Sequence, residues 1–388
     1  MEAKWRALLV LTAARTSLGF QFQSVASVSP LLVEELGLTG ADLGALIGLY
    51  FLPGLVLALP GGALGRRFGD TRVVVAGLVL MALGGLVASL ATGFAGLAAG
   101  RVLAGMGAVL LNVLMAKMVT DWFAGQREIV LAMAIFVNSF PIGIGLAQLG
   151  LGVLAAAAGW ALAFAATGVL ALVALLLLRI GYRAHPNDGA AAPAGARGRI
   201  SGREVGLVCL AGAMWGGLNG SLAVTIGFAP TFLVQGGLPP GQAGLVVGLA
   251  TWLSVASVQA GGMLAQRGVS PAVLMLAGCL GWAACLMALG AGMGVTPLLV
   301  AGLAMGLPVG VIMALPAQAL RPENRAVGMG LFYTWLYVGH AGLPPAAGWV
   351  QDVTGVAAAP LHAAAGFVAL LVLAYAAFRL LARRPVAG

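Results

Sequence analysis

Two arginines stand inside long apolar stretches of this chain, Arg15 in LVLTAARTSLGFQFQSVASV and Arg101 in RVLAGMGAVLLN. A guanidinium in such surroundings costs on the order of 3 kcal/mol unless it faces a wet cavity or a partner, and its planar fork suits carboxylates and other oxyanions. Asn112 shares a helical stripe with Arg101, Gly105 and Ala108 at about 100° per residue. Farther along, Trp215 and Asn219 lie one turn apart, and Tyr333, Tyr337 and His340 follow at i, i+4 and i+7 in LFYTWLYVGHAGLPP. That stripe offers phenol and imidazole hydrogen-bonding groups, one of a type that exchanges protons near neutral pH. Such residues can hold an anion and pass a proton. The plainer alternative for each is packing between helices with its polar tip satisfied.

The elements that carry them are membrane helices. Of 388 residues 61% are hydrophobic and only 8% charged, against roughly 25% charged in an ordinary soluble domain. Continuous apolar runs, rather than alternating segments of about ten residues, exclude a membrane barrel. Runs near the 20 or so residues that a bilayer requires occur approximately at 5–32, 43–64, 73–91, 97–119, 129–157, 160–180, 205–234, 243–264, 272–293, 297–320, 327–350 and 356–381. The chain is thus predicted to be all-α, with twelve transmembrane helices.

With the amino terminus in the cytoplasm, every Lys and Arg except Arg15 and Arg101 falls on the inner side of these spans. This is the positive-inside pattern, and it predicts a multi-pass protein of the cell (inner) membrane with both termini cytoplasmic. It also accounts for the net charge of +9 without nucleic acid, since the charges decorate many short loops along one face. The first run is too long for a secretory signal and reads as an uncleaved helix. Cys209, Cys279 and Cys285 lie in spans without metal spacing, and apolar packing is their expected role. No His/Glu metal spacing, nucleotide loop or Ser/His/Asp set occurs in the spans, so neither enzyme chemistry nor a cofactor is expected.

The polar, Gly- and Pro-rich stretch GYRAHPNDGAAAPAGARGRISGRE separates two six-helix halves. The predicted division is 1–180, a linker at 181–204, and 205–388. A repeat at an offset of 200 supports it: PGGALGRRFGDTRVVVAGLVL is echoed by AGGMLAQRGVSPAVLMLAGCL, matching Gly61, Gly62, Leu64, Arg67 and Val73 with Gly261, Gly262, Leu264, Arg267 and Val273. The repeated loop is predicted to use its glycines for close helix approach. Two such halves with a binding site at midplane between them are a transporter architecture.

Over its whole length the chain resembles the major facilitator superfamily. GALGRRFGDTR is similar to the family's signature between helices two and three, where Gly62, Arg67, Gly69 and Arg72 fit and Arg66 replaces the usual aspartate. That carboxylate belongs, in the family, to a cytoplasmic charge network, and Asp70 is the substitute this sequence offers. RVLAGMG resembles a second signature, with Arg101, Gly105 and Gly107 in register. The resemblance implies the two-bundle fold and a cavity lined by helices one, four, seven and ten, which places Arg15 and Arg101 beside it. It leaves two readings of Arg101, substrate contact or bracing of helix one through backbone carbonyls.

All 11 acidic residues fall in loops or at helix ends, so the spans hold no carboxylate to bind a cation or trade it for a proton. The function expected from these residues is secondary transport of a small organic or inorganic anion by alternating access. The expected substrate-binding residues are Arg15, Arg101, Asn112, Trp215, Asn219, Tyr333, Tyr337 and His340. The expected gating and motif residues are Gly62, Arg67, Gly69, Asp70, Arg72, Gly262 and Arg267. The texture also resembles carriers of the cyanate and nitrate type. The expected partners are the anion, the lipid bilayer and a coupling proton or counter-anion, for a protein acting as a monomer. Two rival readings are an exporter or facilitator of neutral or amphipathic compounds, and a receptor on a transporter scaffold.

Overall fold

In the computed structural model the described residues are 2–123, 126, 128–186, 188–189, 200–321 and 324–383. They form helices α1 (Ala3–Leu36), α2 (Gly40–Leu49), α3 (Gly54–Phe68), α4 (Asp70–Ser89), α5 (Phe94–Phe123), α6 (Ile129–Ala158), α7 (Trp160–Gly181), α8 (Gly202–Gln235), α9 (Pro240–Gln266), α10 (Pro271–Gly290), α11 (Thr296–Met305), α12 (Val309–Ala319), α13 (Arg325–Thr354) and α14 (Ala359–Arg383). No strand occurs among the described residues. The linker expected at 181–204 is described only at its ends, and 187 and 190–199 lie outside the described residues.

Among the described residues ten spans are long and apolar enough to cross a membrane. The two long helices not among them, α1 and α13, carry several of the buried polar residues, including Arg15, Gln21, Gln23 and His340. Two predicted spans are each broken into a pair of helices. The second breaks at Tyr50–Pro53 between α2 and α3, and the tenth at Gly306–Pro308 between α11 and α12. Proline has no N–H to give the helix, and within a bilayer such a break needs its freed groups satisfied by neighbours. At the break between α11 and α12 Ser257 does this, accepting from Gly306 N at 3.2 Å and donating to Leu303 O at 2.6 Å.

Because successive spans alternate in direction, Lys4, Arg66, Arg67, Arg183, Arg267 and Arg321 gather at one end of the molecule, here called the basic end. At the opposite end the helices before the linker are sealed to those after it. Asp352 at the end of α13 caps the start of α2, accepting from Gly40 N at 2.8 Å and Ala41 N at 2.7 Å, a favourable place for an anion. Ser29 and Thr231 hydroxyls meet at 2.7 Å, and Gln23 donates to Ile226 O at 3.2 Å. Side-chain hydrogen bonds at the basic end among the described residues instead stay within one set: Lys4 to Gln126, Lys117 to Asp70, Arg321 to Glu204. The molecule is therefore closed at the end opposite the basic one.

Backbone contact carries that closure. A Cβ on Gly348 would strike the backbone of Gly40 and Ala41 at under 3 Å. Overpacking of this kind costs about 1–3 kcal/mol, so Gly348→Val is expected to raise the reactivity of a Cys placed at Ser29 toward a bulky thiol reagent by roughly tenfold. Unchanged reactivity would mean that this seam does not hold the end shut.

Candidate functional site

Arg15 sits in the middle of α1, about 18 Å from its first residue at about 1.5 Å per residue, and is 8% exposed. Its guanidinium is held mainly by α6. Nη1 donates to Phe136 O at 3.2 Å, Val137 O at 3.3 Å and Ser139 Oγ at 2.9 Å, and the Phe136 ring lies 4.7 Å away. Nη2 donates to Asn112 Oδ1 on α5 at 2.7 Å. Asn112 Nδ2 in turn donates to the Tyr337 hydroxyl on α13 at 3.4 Å. A continuous polar chain, Arg15 to Asn112 to Tyr337, thus joins helices on either side of the linker. Arg15 Nε is buried without a hydrogen-bond partner among the described residues. No carboxylate neutralises the group, since its described partners are carbonyl, amide and hydroxyl oxygens.

His340, one turn beyond Tyr337, is 4% exposed and packs edge-on against Phe51 at 4.5 Å and Phe22 at 5.7 Å. Its Nδ1 lies 3.0 Å from Leu336 O. Phe51 reaches this position from the break between α2 and α3, where the chain turns and aims Tyr50 and Phe51 inward.

Arg101 is placed differently from the expectation that put it at the substrate site with Arg15. It is 2% exposed and every guanidinium nitrogen is occupied. Nε donates to Leu46 O at 2.9 Å, Nη1 to Gln21 O at 2.7 Å and Ser24 Oγ at 3.2 Å, and Nη2 to Phe22 O at 3.0 Å. The Tyr50 ring covers it at 4.4 Å. In this conformation its donors join α1 and α2 through backbone carbonyls, the geometry of the second of the two readings. Nor does the shared stripe bring Arg101 and Asn112 to one site, because 11 residues of helix separate them by about 16 Å.

The remaining candidates divide. Asn219 donates to Trp215 O on its own helix at 2.9 Å, and the Trp215 ring stacks on Phe332 at 6.0 Å. Tyr333 is 40% exposed. None of the three is hydrogen-bonded to the Arg15 group. Ser139 and Phe136, which position Arg15, and Phe51 and Phe22, which enclose His340, were not singled out from the sequence.

At the basic end, Asp70 is 1% exposed and accepts from Lys117 Nζ at 2.6 Å and from Gly189 N at 3.1 Å. The substitute carboxylate thus ties α4 to α5 and to the linker, all within one set of helices. Gly69, with φ +91°, forms the one-residue joint between α3 and α4, a conformation favouring glycine. Gly62 and Gly262 do not mediate close approach. A Cβ on Gly262 would meet nothing within 4 Å, and on Gly62 only the tip of Arg66. The neighbouring Gly261 is the close one, facing Leu307 O. Arg67 lies 5.2 Å from the Phe68 ring, whereas Arg72 and Arg267 are exposed.

The described residues thus form a helical membrane bundle with a polar chain through its buried middle. The chain belongs to the Major Facilitator Superfamily, whose family model matches residues 11–344. It is 26% identical over 163 residues to the major facilitator superfamily multidrug transporter mfsC of Aspergillus fumigatus, covering 41% of this chain and 32% of that protein. It is 32% identical over 84 residues to the quinolone resistance protein NorA of Staphylococcus aureus, 22% of each chain. This chain therefore spans a third or less of the curated relatives it matches. Among solved structures it is similar to a bacterial homolog of the human lysosomal transporter Spinster in an inward-facing, unoccupied conformation, with TM-score 0.78, 18% identity and 99% and 98% of the two chains covered. It is likewise similar to a D-xylose-proton symporter, with TM-score 0.77, 15% identity and 95% and 97% covered.

Proposed function

We propose that this transporter carries a small anion by alternating access, with Arg15 as its anchor. The observation that carries the reading is a buried guanidinium without a carboxylate partner, bonded through Asn112 to Tyr337 across the two sets of helices. An arriving oxyanion is attracted to the charge and competes with Asn112 Oδ1 for the Arg15 Nη2 donor. Because Asn112 reaches α13, exchanging its partner changes the tie between the sets, which links occupancy to their relative movement. Arg101 has no part in this contact; it holds α1 and α2 as one body.

The basic end is assigned to the cytoplasm by the positive-inside rule, so the closed end faces outward and the site is approached from the cytoplasm. The six-helix halves meet at the Arg15 to Tyr337 chain and move about it, and the protein acts as a monomer. Accumulating one negative charge against 100 mV costs about 2.3 kcal/mol, so uptake requires a co-transported proton or exchange for another anion. His340, a turn from Tyr337, is the group placed to serve a proton.

Drug-type efflux is the second reading, favoured by the curated relatives' names and by the aromatic rings of Tyr333 and Trp252, 40% and 38% exposed. A thermal-shift screen of the purified protein separates the two. A ligand at about 100 times its Kd stabilises by about 2.7 kcal/mol. Selective stabilisation by carboxylates, nitrate or cyanate is expected, and stabilisation only by lipophilic cations or neutral compounds would replace the anion reading with the efflux one.

A further inference from the structure

A second basic site lies at the basic end, away from the central chain. A cavity of about 230 Å³ opens among Ala3, Arg6, Ala7, Trp122, Gly181 and Arg183. It is formed where the first turn of α1, the last turn of α5 and the end of α7 converge. Small residues line it on two helices, and a Cβ on Gly181 would press against Val10 at 2.7 Å. Trp122 is fixed on one side: its Nε1 donates to the Tyr182 hydroxyl at 3.2 Å and its ring meets His185 edge-on at 5.0 Å. Burial pushes the Tyr182 hydroxyl up to about 12, so it remains a neutral acceptor for that bond.

The charged side chains that line this cavity are Arg6 and Arg183. No acidic residue lines it. The acidic groups close in sequence are engaged elsewhere, Glu2 and Glu128 with Lys4, Asp121 with Lys117, and Asp188 with Thr71 N. Arg6 makes one long bond, to Ile180 O at 3.4 Å, and Arg183 makes none with the described residues. The cavity is smaller than the about 300 to 1,000 Å³ of a drug-sized site, which suits a compact oxyanion.

What lies beside it identifies the source. Leu9, one turn from Arg6, is 52% exposed, and Ile180, next to Gly181, is 69% exposed. With Leu176 and Leu177, 58% and 45% exposed, they make an apolar track leading away from the two arginines along α1 and α7. A free anion has no use for such a track, whereas an acyl chain does.

We propose that this cavity binds the phosphate of an anionic phospholipid from the leaflet at the basic end, with Arg6 and Arg183 clasping the phosphate, Trp122 walling the headgroup, and the acyl chains lying along Leu9 and Ile180. The bound lipid bridges the start of α1 to the end of α7.

The test uses native mass spectrometry of the full chain released from detergent containing equal phosphatidylglycerol and phosphatidylcholine. Two juxtamembrane arginines give a preference for phosphatidylglycerol of roughly thirtyfold. Arg6→Gln or Arg183→Gln is expected to lose roughly fivefold of it and the pair nearly all, while Arg66→Gln, an exposed arginine at the same end, leaves it unchanged. Ala3→Leu narrows the cavity with both charges kept and is expected to lower retention, which separates a shaped site from mere loss of charge. Melting in phosphatidylcholine alone confirms that each variant is folded. A preference that survives the double variant, or falls equally in Arg66→Gln, overturns the proposal in favour of diffuse attraction. Displacement of the lipid by inorganic phosphate at equal concentration overturns it in favour of a free-anion site.

Discussion

Replacing Arg15 with Gln is expected to abolish saturable anion uptake into proteoliposomes while the protein is still made and folded. Glutamine retains an amide near Ser139 and Asn112 but removes the charge that draws an anion to the middle of the bundle. Truncating one member of a buried charged contact typically costs about 2–5 kcal/mol, or roughly thirtyfold to several thousandfold in affinity. Arg15→Lys is expected to fall in between, because an ammonium keeps the charge and loses the fork that reaches α5 and α6 together. The thermal shift with the best anion should vanish in Arg15→Gln in parallel with uptake. Uptake at the wild-type rate in Arg15→Gln would remove this residue from the mechanism and favour the efflux reading.

Arg101→Ala is expected to act on stability instead. The substitution leaves Gln21, Phe22 and Leu46 carbonyls without their donor and opens a void under the Tyr50 ring. Hydrogen bonds to charged groups contribute about 1.5–3 kcal/mol each, and although such terms do not add fully, a loss above about 3 kcal/mol follows. Most of the chain should then be lost as aggregate, visible by size-exclusion chromatography of the detergent extract. Arg101→Lys, with fewer donors in a compact head, should yield folded protein of lowered melting temperature that still responds to the anion. That response distinguishes a brace from a ligand-binding residue. A stable Arg101→Ala with altered substrate preference would instead return Arg101 to the binding site.

These two arginines look alike in the sequence, each a lone cation in an apolar run with no acidic partner in the spans. For Arg101 the alternatives were a substrate contact and a brace made through backbone carbonyls, and the groups around it form a cradle of the second kind. Such a cradle has no sequence signature, because every residue supplies a carbonyl and only the path of the chain decides which ones are free to accept. The break at Tyr50–Pro53 belongs with it. Pro53 was visible within an apolar run, but a proline can kink, break or merely be tolerated in a membrane helix. Only packing against α13 and α1 shows that this one ends α2 and turns Tyr50 and Phe51 toward Arg101 and His340.

The sequence by itself determined the solvent, the all-helical class, the spans to within a few residues, the family and the gathering of basic residues on one side of the spans. These follow from composition and from the length of apolar runs, quantities that are local along the chain. Its i, i+4, i+7 stripe on α13 also placed Tyr337 and His340 one turn apart, since a helix fixes that spacing without outside help. What only the tertiary structure decided is which polar residues meet. It pairs Arg15 with Ser139 and Asn112, joins Asn112 to Tyr337, withdraws Arg101 into a carbonyl cage, and moves the close glycine contact from Gly262 to Gly261. Each of these depends on the rotation and depth of one helix against another, which side-chain packing sets between segments far apart in the chain and no local pattern encodes.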